Sequence, residues 1–210
     1  MATIESFDFE GGEFPAELSG TNSDPAFVEV SGTSPLTGSY SIRWYSTAAT
    51  ANRAYVTRAS FGSTETNVYF QFKFRTNQRV NHNASGFVRL FTVTIAGVGA
   101  RYISLTRDGS TADEYIGTIQ ISPDTTYVIE THLQRDSSTG GLKTWVDGVE
   151  ASDAQSGDVV GSSVQSYEFG SGGGSGPITS GLDARIDDIV VSTTYIGVSS
   201  LSLPHYIYGE

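Results

Sequence analysis

Cysteine is absent from this chain of 210 residues, and lysine occurs only at positions 73 and 143. Without cysteine the chain can form neither disulfide bridges nor a cysteine-ligated metal site. No stretch approaches the roughly 18 consecutive apolar residues that a membrane-spanning helix requires, so no membrane partner is expected. No apolar signal region follows Met1 either, and a classical secretory route is not expected unless such a signal has been removed.

Positive charge is also scarce, because 12 lysine and arginine residues stand against 23 aspartates and glutamates, for a net charge of -11. A protein that binds a phosphate backbone needs clustered lysine and arginine, so no nucleic-acid partner is expected. The acidic excess favours solubility and identifies no ligand.

Glycine, serine and threonine are abundant, with 24 glycines alone, and this composition is typical of many strands joined by turns. A single β-sandwich or barrel routinely reaches this length. A chain of this size can bury roughly 70% of its unfolded surface, which is enough for a core without covalent cross-links. Residues 1–197 are therefore predicted to form one domain, followed by a tail at 198–210.

Alternation of apolar and polar side chains is clearest in residues 67–75. Positions of the same parity share one face of a strand. The apolar face would hold Val68, Phe70, Phe72 and Phe74, and the polar face Tyr69, Gln71, Lys73 and Arg75. Similar runs predict roughly twelve strands and no amphipathic helix. The longer runs cover residues 3–9, 26–30, 40–45, 53–61, 86–95, 100–106, 115–121, 126–135, 142–150 and 164–169.

Turn residues join these predicted strands. Hairpin turns are expected at residues 96–99 and at Asp147–Gly148. The glycine-rich run Gly170–Gly176 is predicted to be a surface loop. It lacks the Gly-Lys-Ser/Thr motif and the following helix of a phosphate-binding loop.

Three segments carry a family resemblance: the two strands and Asp-Gly turn of residues 127–148, the strand Arg185–Ser192, and the opening segment Ser6–Gly11. They resemble the concanavalin A-like lectin/glucanase superfamily, which includes laminin-G-like domains, and the similarity extends over residues 7–197. The resemblance implies an all-β fold, a lectin-like jelly-roll sandwich of two antiparallel sheets with a C-terminal extension. In this fold the opening strand pairs beside the closing one.

This superfamily includes glucanases, polysaccharide lyases, lectins and non-catalytic domains of viral particles. Its glucanases carry a Glu-x-Asp-x-x-Glu strand that supplies two carboxylates for retaining hydrolysis, and this sequence has none. Alginate-lyase-like members carry a Gln-x-His strand, whereas here His132 precedes Gln134. With His82 and His205 it shows no metal or triad spacing. The chain is therefore not expected to be an enzyme.

Asp187 and Asp188 lie in the middle of an apolar strand, where neighbouring side chains face opposite ways, so one carboxylate is expected to point towards the core. A buried carboxylate needs hydrogen bonds, a cation or a metal. With Glu10 near the opening strand, the pair is a candidate Ca²⁺ site of hard oxygen ligands. The alternative is that the inward carboxylate caps backbone amides or pairs with Arg43 or Arg185.

Four aromatic side chains, Trp44, Trp145, Tyr69 and Tyr102, are candidates for stacking on sugar rings. Flat amphipathic rings with polar neighbours suit such recognition. The alternative is that these rings pack in the core or between the sheets. A concave face that exposes tryptophan or tyrosine beside polar groups would favour glycan binding.

The tail of residues 198–210 is unusually apolar for a chain end. A free tail is expected to be polar, yet this one contains Leu201, Leu203, Tyr206, Ile207 and Tyr208. These side chains are therefore predicted to make a contact, either with the domain's own surface or with a neighbouring chain in an assembly.

These features favour a non-enzymatic structural protein of a virion, such as a phage capsid decoration (cement) protein or a tail component. It would be assembled in the host cytoplasm and lie on the virion surface as a homo-oligomer, for example a trimer, in contact with the major capsid protein or other virion proteins. The alternative is a carbohydrate-binding, lectin-like module, with an extracellular location. A polysaccharide lyase or glycoside hydrolase is a lesser alternative. No cofactor is expected beyond a structural calcium ion.

Overall fold

The computed structural model of the protein describes residues 3–48, 53–78, 87–108, 113–136, 138, 140–156, 163–171 and 181–197. Within these ranges the chain forms fifteen β-strands, and no helix long and apolar enough to span a membrane is found there. In chain order the strands are β1 (Thr3–Phe7), β2 (Ser19–Thr21), β3 (Ala26–Ser31), β4 (Ser41–Ser46), β5 (Ala54–Arg58), β6 (Asn67–Thr76), β7 (Phe87–Ile95), β8 (Gly99–Arg107), β9 (Glu114–Ile116), β10 (Ile119–Ile121), β11 (Tyr127–Gln134), β12 (Gly141–Val146), β13 (Val149–Ser156), β14 (Val164–Ser171) and β15 (Asp183–Ser192).

The strands form two antiparallel sheets. The larger sheet has eight strands in the order β13-β12-β11-β6-β15-β4-β3, with β1 paired to β15. The smaller sheet has seven strands in the order β10-β9-β8-β7-β14-β5-β2. The predicted jelly-roll β-sandwich is confirmed, and the opening strand β1 does pair with the closing strand β15.

A hydrophobic core fills the space between the two sheets. One face of β6 is fully buried there, as the alternation predicted, through Val68, Phe70, Phe72 and Phe74. The ring of Phe70 lies 4.9 Å from that of Phe91, and Phe72 lies 5.0 Å from Phe169, centroid to centroid. Such tilted and edge-on contacts add to the stabilisation from burial. The polar face of β6 must consequently lie on the outer side of the larger sheet.

Residues 115–121, predicted as one strand, form two short strands instead. β9 and β10 pair with each other, with Ile116 opposite Ile119. The chain reverses through Gly117, whose φ of 59° lies in the left-handed region that glycine adopts at little cost. The two predicted hairpin turns, at residues 96–99 and at Asp147–Gly148, are confirmed.

The closing strand β15 changes partner halfway along its length. Residues 183–186 pair with β4, and residues 189–192 pair with β1. On its other side β15 has one residue more than β6 between two aligned pairs, Asp187 with Lys73 and Val190 with Gln71. This β-bulge contains Asp188, whose φ of 48° is left-handed.

The bulge overturns the prediction that one of the two aspartates points towards the core. Side chains alternate strictly only where no extra residue is inserted. Here Ile186 and Ile189 fill the core, whereas the hydroxyl oxygen of Thr37 lies 2.8 Å from the carboxylate of Asp187 and 3.1 Å from that of Asp188. Both carboxylates therefore lie on the outer side of the larger sheet.

Candidate functional site

The outer face of the larger sheet brings together aromatic and polar side chains from three neighbouring strands. Antiparallel register places Tyr69 of β6 opposite His132 of β11, and Glu130 of β11 opposite Trp145 of β12. Directly opposed residues of paired strands share a face and contact each other. Strand pairing alone therefore brings Tyr69, His132 and Trp145 together at one end of this face.

Four rings form a cluster that we call the aromatic patch: Tyr69, His132, Trp145 and Tyr195. The rings of Tyr69 and His132 are stacked, with centroids 4.2 Å apart and planes within 3° of parallel. Tyr195 follows β15 and meets Tyr69 at 6.1 Å and Trp145 at 6.2 Å, edge to face. Tyr195 is 54% exposed and the other three rings are half-buried, so solvent reaches the patch.

Polar groups surround the aromatic patch. Oδ1 of Asn67 lies 2.8 Å from Nε2 of His132. Burial, with a further contribution from the positive charge of Lys143, lowers the pKa of His132 and so favours the neutral form of this ring. Lys143 lies 3.8 Å from Glu150, and both side chains are more than half exposed. So exposed an ion pair contributes little and leaves both groups available to a ligand.

The chain after β15 crosses the outer face beside the patch. The backbone N–H groups of Ile196 and Gly197 donate to the carboxylate of Glu130, at 3.3 and 2.9 Å. Nε2 of Gln71 donates to Glu130 and to the carbonyl of Gly197, each at 3.0 Å. These contacts bury Gln71 and Glu130 almost completely, although both belong to the outer face. The same segment carries Tyr195 into the patch.

A second segment, the loop of residues 32–40 between β3 and β4, lies over the other end of this face. The carbonyl of Thr33 accepts hydrogen bonds from Nε and Nη2 of Arg185, and the carbonyl of Ser34 accepts one from Arg75. Thr37 donates from its backbone N–H and its hydroxyl to Asp187. The charged groups at this end therefore anchor the loop.

Asp187 is completely buried beneath this loop. Burial raises its pKa to about 6, an effect that hydrogen bonds from Thr37 oppose and the charge of Asp188 reinforces. Oδ1 of Asp187 accepts the backbone N–H of Asp188 at 2.8 Å, and the side chain of Asp188 pairs with Lys73 at 2.7 Å. Asp187 thus caps backbone amides, which was the alternative to metal binding.

The three carboxylates predicted to bind calcium do not come together as ligands. Glu10 accepts the backbone N–H of Ser39 at 2.9 and 3.1 Å. Asp187 and Asp188 accept N–H, hydroxyl and ammonium donors. Among the described residues no group of three or more histidine or acidic side chains could hold a metal ion. Calcium binding stays a prediction, without a cluster of ligands to support it.

Arg43 and Arg185, the cations considered as partners for these aspartates, bind other groups. Arg43 forms ion pairs with Asp183 at 2.9 Å and with Glu29 at 3.2 Å, and Arg185 also contacts Asp183. Burial lowers the pKa of Arg185 to about 10, with further contributions from the charges of Arg43 and Arg75. These pairs link β3, β4 and β15 across the outer face.

Two of the four rings predicted to stack on sugars lie elsewhere. Trp44 is 0% exposed, because it shares the core side of β4 with Ile42. That prediction is wrong, since a ring without solvent access cannot stack on a ligand. Tyr102 lies on the outer face of the smaller sheet, stacked on Phe87 at 5.9 Å with the guanidinium of Arg89 4.3 Å above its ring. It therefore cannot join Tyr69 and Trp145, which face outwards from the other sheet.

Sequence patterns did not reveal Tyr195, or that Glu130 is buried. Tyr195 lies three residues beyond the end of β15, where no alternation marks it. The residues of the predicted assembly contact lie outside the described residues, namely Leu201, Leu203, Tyr206, Ile207 and Tyr208. His82, His205 and most of the glycine-rich loop lie outside them too.

A cleft of about 530 Å³ lies along β1 and the turn after it, lined by residues between Glu5 and Glu17. Arg58 and the hydroxyl of Tyr167 hold the carboxylate of Glu5, at 2.7 and 2.6 Å. Burial, together with the bond to Glu5, raises the pKa of Tyr167. This acidic cleft shares no residue with the aromatic patch.

Comparison with known proteins gives structural matches only. No protein-family model and no curated protein matches the sequence. Among solved structures, the cellulose induced protein Cip1 superposes with a TM-score of 0.65 at 16% identity, over 92% of this chain and 99% of that chain. The globular domain of T. cruzi calreticulin gives 0.54 at 12%, over 92% and 88%. Alginate lyase Aly36B gives 0.55 at 9%, over 89% and 95%. Identities this low establish the β-sandwich fold and nothing finer.

Proposed function

We propose that this protein is a carbohydrate-binding, lectin-like module that holds a glycan on the aromatic patch without chemical turnover. The observation that carries the proposal is the patch itself. Tyr69, Trp145 and Tyr195 reach solvent together on one face, edged by the amide of Asn67 and the charged side chains of Lys143 and Glu150. Exposed tryptophan and tyrosine beside polar groups are features that favour glycan binding over core packing.

The chemistry of a sugar ring matches such a surface. The C–H faces of a pyranose are apolar and can lie on an aromatic ring, while its hydroxyl groups point sideways towards polar partners. The patch supplies rings in two orientations, since Tyr195 stands edge-on to both Tyr69 and Trp145. A glycan could therefore contact one ring by stacking and another by its edge.

Proteins of the same fold support a polysaccharide partner. Two of the similar structures are named for acting on polysaccharides, the alginate lyase Aly36B and an exo-β-agarase, with TM-scores of 0.55 and 0.55. This chain spans only a quarter of the agarase, and both identities lie near 10%, so their activities are not carried over. They make glycan binding a reasonable first test.

The proposal is tested by measuring binding of the wild-type protein to a panel of soluble neutral and acidic polysaccharides by isothermal titration calorimetry. Trp145→Ala and Tyr195→Ala should each weaken binding by about tenfold or more, or about 1.4 kcal/mol. Tyr102→Ala, on the outer face of the smaller sheet, is the matched control and should change affinity by less than about twofold.

Two results would overturn this proposal. Equal losses in Tyr102→Ala and Trp145→Ala would mean that the patch is not the site. Release of unsaturated or reducing sugar ends during incubation with the bound polysaccharide would mean that the protein is an enzyme instead.

The virion hypothesis receives no comparable support. The tail contacts on which it depended lie outside the described residues, and none of the similar structures named above is a virion component. Light scattering on the full chain and on a chain ending at Gly197 tests it separately. If the full chain is an oligomer and the chain ending at Gly197 is a monomer, the tail is an assembly element.

A further inference from the structure

We infer that Glu130 and Gln71 are positioning residues for the glycan site, because they fix the chain segment that presents Tyr195 to the patch. The inference rests on the proposed function, since it concerns how the same site is built. Neither side chain needs to touch a sugar. Gln71 is 0% exposed and Glu130 is 2% exposed, whereas Tyr195 is more than half exposed.

The carboxylate of Glu130 is stabilised by N–H groups. Three donors converge on it, namely the backbone N–H groups of Ile196 and Gly197 and Nε2 of Gln71. No ion pair to Glu130 is found in the part of the chain that the structure describes. A buried carboxylate without such donors would be strongly unfavourable. The crossing segment and the carboxylate therefore hold each other in place.

Gly197 gives this segment the shape that Glu130 requires. Its φ of 76° is left-handed, and this conformation lets two successive N–H groups turn towards one carboxylate. A Cβ at this position would be strained and would lie 3.4 Å from the ring of Tyr195. Gln71 holds the same residue through a second contact, because its Nε2 donates to the carbonyl of Gly197 as well as to Glu130.

The consequence is that Tyr195 is held in the patch before a ligand arrives. A loosely attached Tyr195 would have to be ordered on binding, and that loss of freedom would reduce affinity. If the segment were in place only a tenth of the time, the apparent dissociation constant would rise about tenfold. Affinity should therefore depend on residues that lie beneath the segment and never contact the glycan.

We call the contacts of Glu130 and Gln71 with residues 196–197 the clamp, and two variants test it. Glu130→Gln replaces one acceptor oxygen with an NH2 group, which cannot accept a hydrogen bond. The side chain then no longer has a separate oxygen for each of the N–H groups of Ile196 and Gly197. Gly197→Ala strains the same corner from the other side. Thr131→Val is the matched control, because Thr131 is the next residue on β11, faces the core and has a hydroxyl without a hydrogen-bond partner.

Acrylamide quenching of tryptophan fluorescence reports on Tyr195 without any glycan. Trp44 is fully buried, so quenching reports mainly on Trp145, which the ring of Tyr195 partly shields. Glu130→Gln and Gly197→Ala should both raise quenching towards the level of Tyr195→Ala and weaken glycan binding about tenfold. Thr131→Val should leave both readouts unchanged.

The outcomes separate the clamp from the proposed function. Unchanged quenching and unchanged affinity in both folded variants would overturn the inference, as would raised quenching with unchanged affinity. If Glu130→Gln does not fold, Gly197→Ala still shows whether the corner at Gly197 holds Tyr195 in the patch, because Gly197 lies outside every strand. If the wild type binds no polysaccharide, the proposed function fails and the positioning role for a glycan fails with it. Quenching would then still show whether Glu130 holds Tyr195.

Discussion

The outer faces of the two sheets are built in different ways. On the larger sheet two backbone segments, residues 32–40 and 193–197, lie across the strands and bury the carboxylates of Asp187 and Glu130. On the smaller sheet the described outer face is formed by strand side chains that lie opposite one another on four neighbouring strands. They are Thr57, Glu168, Thr92 and Tyr102.

This difference shows how a sandwich can build a site on its solvent side. A strand face alone offers side chains in a regular grid. A backbone segment laid over it adds N–H and C=O groups, buries side chains such as Glu130, and brings the ring of Tyr195 against Tyr69 and Trp145. Glu130 and Glu168 occupy comparable outer positions, yet Glu130 is buried under backbone donors and Glu168 remains half-buried.

The largest expected contrast is between alanine substitutions of these two glutamates. Glu130→Ala should lower the free energy of unfolding by about 3 kcal/mol, because three N–H donors lose their buried acceptor. Glu168→Ala should change it by less than about 1 kcal/mol. Its burial already disfavours the charged form and raises its pKa, while Arg53 and Arg89 oppose the rise. Guanidinium denaturation measures both, and similar losses would erase the distinction between the faces.

A somewhat smaller effect is expected from Asp187 as the pH changes. Its folded pKa of about 6 lies above the ordinary unfolded value of about 3.9, so the native state binds this proton more tightly. The contribution to stability is therefore greatest at low pH and is lost as the pH rises through 6. Between pH 7 and pH 4.5 the unfolding free energy of the wild type should gain about 1–2 kcal/mol relative to Asp187→Asn. A difference that is flat with pH, or of opposite sign, would contradict burial of the charge.

On the smaller sheet the expected energies are lower. Arg89 lies over the ring of Tyr102, 4.3 Å from its centroid. A double-mutant cycle with Arg89→Ala and Tyr102→Leu should give a coupling of about 0.5–1 kcal/mol, as is usual for a cation-π contact near the surface. A coupling as large as the Glu130 effect would show that this face is as strongly organised as the other.

The smallest effect is expected at the exposed edge of the patch. Lys143 and Glu150 are 3.8 Å apart with both side chains more than half exposed. Lys143→Ala should change the unfolding free energy by no more than about 0.5 kcal/mol, because water screens such a pair. A thermal melt at low and high salt measures this, and a larger change would place Lys143 in the structural network rather than at its rim.

Much of the fold could be predicted from local pattern. Alternation in residues 67–75 correctly divided β6 into a core face and an outer face, and so placed Tyr69 outside. The same rule contained the signal that Trp44 is buried, because Trp44 shares its parity with Ile42. Trp44 therefore belongs with the core residues and not with the exposed rings.

The rest of the site depends on contacts that local pattern cannot supply. Glu130 and Ile196 are 66 residues apart in the chain, and the burial of Glu130 exists only because the later segment lies over it. Asp187 likewise depends on Thr37, 150 residues away. The alternation pattern also does not predict the bulge at Asp188, because it assumes that every residue of a strand is paired.

The bulge in β15 makes the closing strand tolerant of a change in length at one point. Removing one of the two adjacent aspartates would eliminate the extra residue and leave Ile186, Ile189 and Val191 on the core side. Removing a residue from the middle of β6 would instead turn the core-facing side chains beyond that point to the outer face, and the outer ones to the core. A deletion scan should therefore find a permissive site at residues 187–188, where the sheet can lose an amino acid and keep its two faces.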